Sequence, residues 1–189
     1  MADANDGGLS GRLLVAAPSL EDPNFFRTVV VVLDHGDEGA LAVVLNRPGA
    51  AAVADILPQW APLAELAPPA NIFHGGPVAP DAVIALARCT SGCPPGWHEV
   101  VGDVGTVDLS VPPDAQPTAL DGVRLFSGYA GWAPGQLEAE VEQRAWFVVA
   151  ADADDAMGSE PDSLWHDVLR RQGGELALLA GYPRLLASN

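Results

Sequence analysis

The sequence predicts an α+β fold built on a mainly antiparallel sheet. Three observations carry this expectation. Thr28 to Leu33 is a short run that is almost wholly β-branched and apolar, the pattern of a strand buried on both faces. A second such run, Ala40 to Leu45, follows after about five loop residues, a spacing that fits an antiparallel hairpin. Along the rest of the chain strand-like segments outnumber helical ones, and they follow one another as hairpins rather than alternating with helices.

The elements follow in order. Gly11 to Ala17 reads as a strand stopped by Pro18, and Ser19 to Asn24 is rich in turn formers. After the hairpin, Asn46-Arg47-Pro48 ends the second strand. Residues 51–66 suggest a short helix broken by Pro58 and Pro62. Asn71 to Phe73 is a short strand entering His74-Gly75-Gly76-Pro77-Val78, and Ala82 to Arg88 is another. Thr90 to Gly105 reads as a long surface loop, Thr106 to Val111 as a strand, and Pro112 to Asp121 as loop. Val123 to Phe126 is a strand leading into the connecting block Ser127 to Trp132, after which Pro134 opens a helix carrying Leu137 and Val141 at helical spacing. Ala145 to Ala150 is a strand and Asp152 to Asp155 an acidic turn. Ser159 caps a helix that runs to about Gln172 and stops at Gly173-Gly174, with Leu164, Trp165, Val168 and Leu169 as its apolar stripe. Leu176 to Asn189 is expected to pack back as a last short element. Residues 1–10 are polar and Gly-rich and read as a flexible N-terminus. The remainder, 11–189, contains neither a repeat nor a dividing linker and reads as one domain.

Composition limits the functional classes. A chain of 189 residues with 49% hydrophobic and 18% charged residues is an ordinary globular sequence. At this length it buries roughly 70% of the surface its unfolded chain exposes. It carries 25 acidic residues against 9 basic ones, a formal net charge of −16, and every basic residue is Arg. Nucleic-acid binding draws most of its affinity from Lys and Arg on phosphates, so no nucleic-acid partner is expected. Anionic membranes repel the chain for the same reason. With no basic n-region and no apolar run near the ~20 residues of a membrane-spanning helix, the expected location is cytoplasmic and the expected state a monomer or small oligomer. Cys89 and Cys93 are then expected as free thiols.

Four blocks resemble the YqgE/AlgH family, in matching order and spacing from residue 11 to about 170. They are Gly11 to Pro18 with Asp22-Pro23-Asn24-Phe25-Phe26-Arg27-Thr28-Val29-Val30; His35 through Gly39-Ala40 to Asn46-Arg47-Pro48; Gly75-Gly76-Pro77-Val78; and Gly128-Tyr129-Ala130-Gly131-Trp132, continuing to Gly135-Gln136-Leu137-Glu138, Glu140, Trp146 and Leu164-Trp165. The resemblance implies a strongly curved, barrel-like sheet flanked by a few helices. It implies no defined molecular function. Some members carry a transcriptional-regulator label, which here meets neither a helix-turn-helix signature nor a favourable charge. Two departures are Ala42, where the family usually has Gly, and the Cys89–Cys93 pair, which lies outside the family pattern.

The candidate ligand-binding residues are Arg27, Asn46, Arg47, Gly75, Gly76, Tyr129, Trp132 and Gln136. Arg47 offers a planar fork for a carboxylate or phosphate, and Asn46 both a donor and an acceptor, although turn chemistry explains Asn46 and Pro48 equally well. Antiparallel pairing of the two runs places Arg27 and Arg47 at the same sheet edge, away from the 34–39 turn. There they could hold an anion together, or each could pair with a surface carboxylate. Gly75-Gly76 would let backbone N–H groups approach an anion, or would form a tight turn. Tyr129 and Trp132 would wall a pocket before a helix N-terminus, with Gln136 one turn in, or would pack as core. Asp34-His35 is half of a general-base arrangement without a nucleophile and reads as turn. Glu138, Glu140 and Glu142 read as a solvated helix face. Cys89, Cys93 and His98 are a weak metal candidate lacking a fourth ligand.

Together these residues point to a protein of undefined molecular function that binds a small anionic ligand or a protein partner, with no catalytic set and no cofactor expected. The rival readings are an enzyme acting on an anionic small molecule, with Tyr129 as acid or base, and a transcriptional regulator.

Overall fold

A computed structural model describes residues 8–115 and 120–182. In chain order it contains β1 (Arg12–Ala16), β2 (Val29–Gly36), β3 (Gly39–Val44), β4 (Pro48–Ala52), α1 (Val53–Ile56), α2 (Ala61–Glu65), β5 (Asn71–His74), β6 (Val78–Arg88), β7 (His98–Val101) and β8 (Val104–Thr106). Then come β9 (Val123–Trp132), α3 (Gln136–Glu142), β10 (Trp146–Ala150), α4 (Ala153–Met157), α5 (Leu164–Gln172) and α6 (Gly174–Leu179). The fold is α+β, a curled and mainly antiparallel half-barrel sheet with helices against it.

The strand order is β10-β1-β2-β3-β9-β6-β8-β7, with β4 and β5 joined to it through β9. The hairpin expectation holds: Val30 faces Val44 and Val31 faces Val43 across antiparallel β2 and β3. Both runs are buried on both faces, as their lack of alternation requires. One face of β1–β3 packs Leu13, Val15, Val29, Val31, Val43 and Leu45 against Trp165, Val168 and Leu169 of α5. The other packs Leu14, Ala16, Val30, Val32, Ala42 and Val44 against Trp132, Leu137 and Trp146. A third cluster, whose largest fully buried side chain is Trp60, seats α1 and α2 on β5, β6 and β9.

Several expectations are corrected. The block 127–132 does not connect a strand to a helix; it is the second half of β9, which pairs with β6 from Val123 to Tyr129, in parallel with β5 from Leu125 to Ser127, and with β3 along its last three residues. Three partners along one strand require a ten-residue strand, and Gly128 permits its bend at φ 69°. Pro134 lies before the helix, whose N-cap is Gly135. Residues 48–52 form strand β4 rather than entering the helix; the helical stretch after it is interrupted before Pro58 as expected, whereas Pro62 sits in the first turn of α2 and does not break it. The segment 90–105 holds β7 and most of β8, whereas 107–111 contains no strand. Their polar composition misleads because they sit at an exposed sheet edge.

Asp152 to Asp155 does not form a simple turn. It opens α4 with a reciprocal capping box, Asp152 accepting from backbone and Asp155 reaching back to the Asp152 N–H. Asp155 also receives both Nη atoms of Arg171 at 2.8 Å, which clasps α4 to α5. Ser159 does not cap α5; the 3₁₀ turn Pro161–Ser163 intervenes, and α5 stops at Gly173 as expected. Cys89 and Cys93 are joined as a disulfide rather than standing as free thiols. Of the expected loop 112–121 and tail 176–189, residues 116–119 and 183–189 lie outside the described residues, as do 1–7 of the N-terminal segment. No helix among the described residues is long and apolar enough to cross a membrane.

Candidate functional site

The site begins in the turn that leads into β2. Phe25 and Phe26 both donate backbone N–H groups to the Asp22 carbonyl, and the Thr28 hydroxyl donates to the Phe25 carbonyl. This turn sends its side chains to opposite faces of the sheet. Phe25 joins Trp132 and Trp146, at 6.2 and 5.4 Å between ring centroids. Arg27 goes to the α5 face, where its guanidinium lies 4.8 Å over the Trp165 ring.

Arg27 has φ 53°, a left-handed conformation uncommon for a residue with a side chain. Asn46 accounts for it. Its Oδ1 accepts from the Val29 N–H and its Nδ2 donates to the Arg27 carbonyl, both at 2.9 Å, from a position only 6% exposed. Asn46 is therefore a backbone clamp, and the donor and acceptor expected to meet a ligand are spent on holding Arg27. Arg47 donates from Nη2 to the Phe26 carbonyl. The hairpin register thus brings the two arginines to one edge, as the antiparallel reading anticipated.

At that edge lies a cleft of about 320 Å³, lined by Arg27, Asn46, Arg47, Asp162, Trp165 and His166. Trp165 is only 1% exposed, and its Nε1–H donates to the Ala16 carbonyl at 2.9 Å, fixing α5 to β1. Beside it, His166 donates from Nδ1 to the Ala180 carbonyl at 2.8 Å. A carbonyl only accepts, so Nδ1 carries the proton and the neutral imidazole has its acceptor at Nε2. The Ala180 and Tyr182 carbonyls, held by His166 and Arg27, bring the end of the described chain to the same place. Asp162, His166 and Trp165 are the functional candidates that the sequence did not disclose. They lie more than a hundred residues from Arg47, and the signals in that stretch were the apolar stripe and the Leu164-Trp165 block.

The remaining candidates do not join this cleft. Gly75 bridges two strands, its N–H donating to Ser127 and its carbonyl accepting from Val44. A Cβ on Gly75 would lie 2.3 Å from the Gly128 oxygen, and one on Gly76 2.2 Å from the Tyr129 carbonyl carbon. These glycines permit backbone to pack on backbone and form no anion cradle. Tyr129 packs against the α5-side core. Trp132 is 6% exposed, and with Gln136 it belongs to a separate constellation centred on Glu140. There Glu140 Oε2 accepts from Nε1 of both Trp132 and Trp146 at 2.9 Å, while Oε1 accepts from Gln136 Nε2 at 3.0 Å.

His35 is likewise no solvated turn residue. The Leu9 N–H donates to its Nδ1 at 3.1 Å, so Nε2 carries the proton and donates to Glu138 at 2.9 Å. The Glu138 backbone N–H, and then the imidazole, hold that carboxyl below the usual carboxylate range. The weak metal set does not assemble, because the sulfurs of Cys89 and Cys93 are bonded to each other. A larger groove of about 580 Å³, lined by Phe147, Leu176, Leu178, Leu179 and Tyr182 among others, is chiefly apolar.

Comparisons with known proteins agree with this architecture. A family model described as AlgH-like matches residues 13–177. A UPF0301 protein of Streptomyces avermitilis is 50% identical over 180 residues, covering 93% of this chain and 92% of that protein. Another from Thermobifida fusca is 48% identical over 185 residues, with coverages of 93% and 92%. The crystal structure of a Corynebacterium diphtheriae protein superposes with a TM-score of 0.84 at 31% identity, covering 96% of this chain and 95% of that one. The solution structure of the AlgH protein from Pseudomonas aeruginosa gives 0.71 at 30% identity, covering 97% and 98%.

Proposed function

This chain belongs to the AlgH-like family, and on that premise we propose that it binds a small anionic metabolite in the Arg27–Arg47–His166 cleft. The observation that supports this is the gathering of two guanidiniums and an imidazole around one polar recess in a protein of net charge −16. Guanidinium forks match carboxylate and phosphate oxygens. A recess of about 320 Å³ is at the small end of ligand pockets, which run from roughly 300 to 1,000 Å³. The strained Arg27 backbone adds weight, since such conformations persist where the surroundings hold them and concentrate at functional sites.

Titration with inorganic phosphate and with acetate, followed by amide shifts of residues 27, 47 and 166, tests the reading. We expect saturable shifts confined to the cleft, weakened about tenfold or more by Arg47→Ala, the loss of one charge-assisted contact. Unchanged binding in a folded Arg47→Ala protein would remove the proposal. The same reading places the protein in the cytoplasm, where such metabolites are abundant; recovery of the protein in a membrane or extracytoplasmic fraction would contradict that location.

A further inference from the structure

The cleft is not uniformly basic. Asp162 stands in it, on the 3₁₀ turn Pro161–Ser163, one turn ahead of His166. Among the described residues its carboxylate makes neither a hydrogen bond nor an ion pair, so it pairs with neither arginine across the recess. Opposite charges therefore share one cavity without closing on each other. Beside Asp162, His166 gives its Nδ1–H to Ala180, which leaves Nε2 as the ring nitrogen for a ligand, an acceptor whenever the imidazole is unprotonated. The cleft thus has a donor wall of Arg27 and Arg47 from the start of β2 and the end of β3. The acceptors in the same cleft, Asp162 and His166, come from the 3₁₀ turn before α5 and from the first turn of α5.

We infer that the ligand is a small zwitterion of the α-amino-acid class, its carboxylate on the arginine wall and its ammonium on Asp162 and His166 Nε2. This rests on the proposed anion site and specifies what accompanies the anion. An ammonium has three N–H donors and a positive charge, which suits one ionised carboxylate and one neutral acceptor. A dianion such as a phosphate monoester would bring its charge against Asp162 and against the field of a chain with net charge −16. A zwitterion has no net charge and meets no such long-range repulsion. The cleft volume, about 320 Å³, admits a molecule of this size.

Three probes with the same carbon skeleton test the inference on the full chain: L-alanine, L-lactate and propionate, which carry ammonium, hydroxyl and hydrogen at the same position. We expect L-alanine to bind about tenfold or more tightly than propionate, the contribution of a charge-assisted hydrogen bond. Lactate should fall well below alanine. Asp162→Asn, at an exposed position, should abolish the preference for alanine and leave propionate affinity unchanged or improved. Arg47→Ala should weaken all three. Equal binding of alanine and propionate would overturn the zwitterion while leaving the anion site standing. Lactate binding as well as alanine would overturn recognition of the positive charge. No saturable binding by any probe, phosphate and acetate included, would overturn the anion site and the zwitterion together.

Discussion

Replacing Arg124 with methionine is expected to lower the unfolding free energy by about 4 kcal/mol, the largest single-site loss foreseen outside a glycine-to-bulky change. Arg124 lies on β9 with 2% of its surface exposed, and among the described residues it has no carboxylate partner. Its Nη1 donates to the Ala156 carbonyl at 2.8 Å, and Nη2 donates to Pro68 and Gly158 at 2.8 Å and to Ala67 at 3.2 Å. The guanidinium is stacked 4.5 Å over Phe73. One side chain thus ties the carbonyls that end α4 to the turn after α2, supplying donors that a helix terminus lacks.

Two effects oppose each other here. Burial disfavours the cation and pushes its pKa down to about 10, so the charge itself costs stability although it persists at neutral pH. Methionine would remove that cost and keep most of the apolar volume. It would also leave buried carbonyls without donors, at about 1–3 kcal/mol each. Even with partial rehydration, four orphaned bonds outweigh the relief of one desolvated charge, so the sign is destabilising. Urea unfolding of both proteins measures it. A loss below about 1 kcal/mol would show that water or the loops re-satisfy these carbonyls.

Glu140→Ala is expected to cost about 2–3 kcal/mol and to change the near-ultraviolet signal of Trp132 and Trp146. Both indole N–H groups converge on Glu140 Oε2, and both rings are buried, at 6% and 2% exposure. The rings meet edge to face at 5.9 Å and enclose Phe25. Without the carboxylate, two donors in a largely dry cluster lose their acceptor at once. Glu140→Gln retains one carbonyl oxygen of similar reach and should lose about half as much. Equal stability of the alanine and glutamine variants would show that helix packing through Leu137, rather than the shared acceptor, holds α3 to the sheet.

The arginine edge and the Glu140 cluster show what could be read from the residues. The hairpin of β2 and β3 was legible because burial on both faces produces an uninterrupted β-branched run, and five loop residues leave it one way to close. Arg27 and Arg47 at one edge followed from that register alone. Asn46 was legible as a residue with two hydrogen-bonding ends, but not as a clamp, because its partners are backbone groups of residues 27 and 29 on the neighbouring strand. Glu140 looked like one of three carboxylates on a wet helix face. Only the approach of β9 and β10 singled it out from Glu138 and Glu142.

What the sequence determined by itself is local: the apolar runs that become strands, the stripe that seats α5, the Gly173 stop, the acidic surplus, and the four blocks by which the family is recognised. Each depends on a few neighbouring residues and on backbone preference. The tertiary structure decided the rest. It dispersed the eight candidate residues, placing Arg27, Asn46 and Arg47 in the cleft, Gly75 and Gly76 against β9, Tyr129 in the α5-side core and Trp132 and Gln136 around Glu140. It also brought Asp162, Trp165 and His166 to the arginines from the far end of the chain. The physical reason is that a strand's partners and a helix's seat are chosen by burial over the whole sheet. The side chains meeting at a sheet edge are then fixed by register and curvature, which no window of neighbouring residues contains.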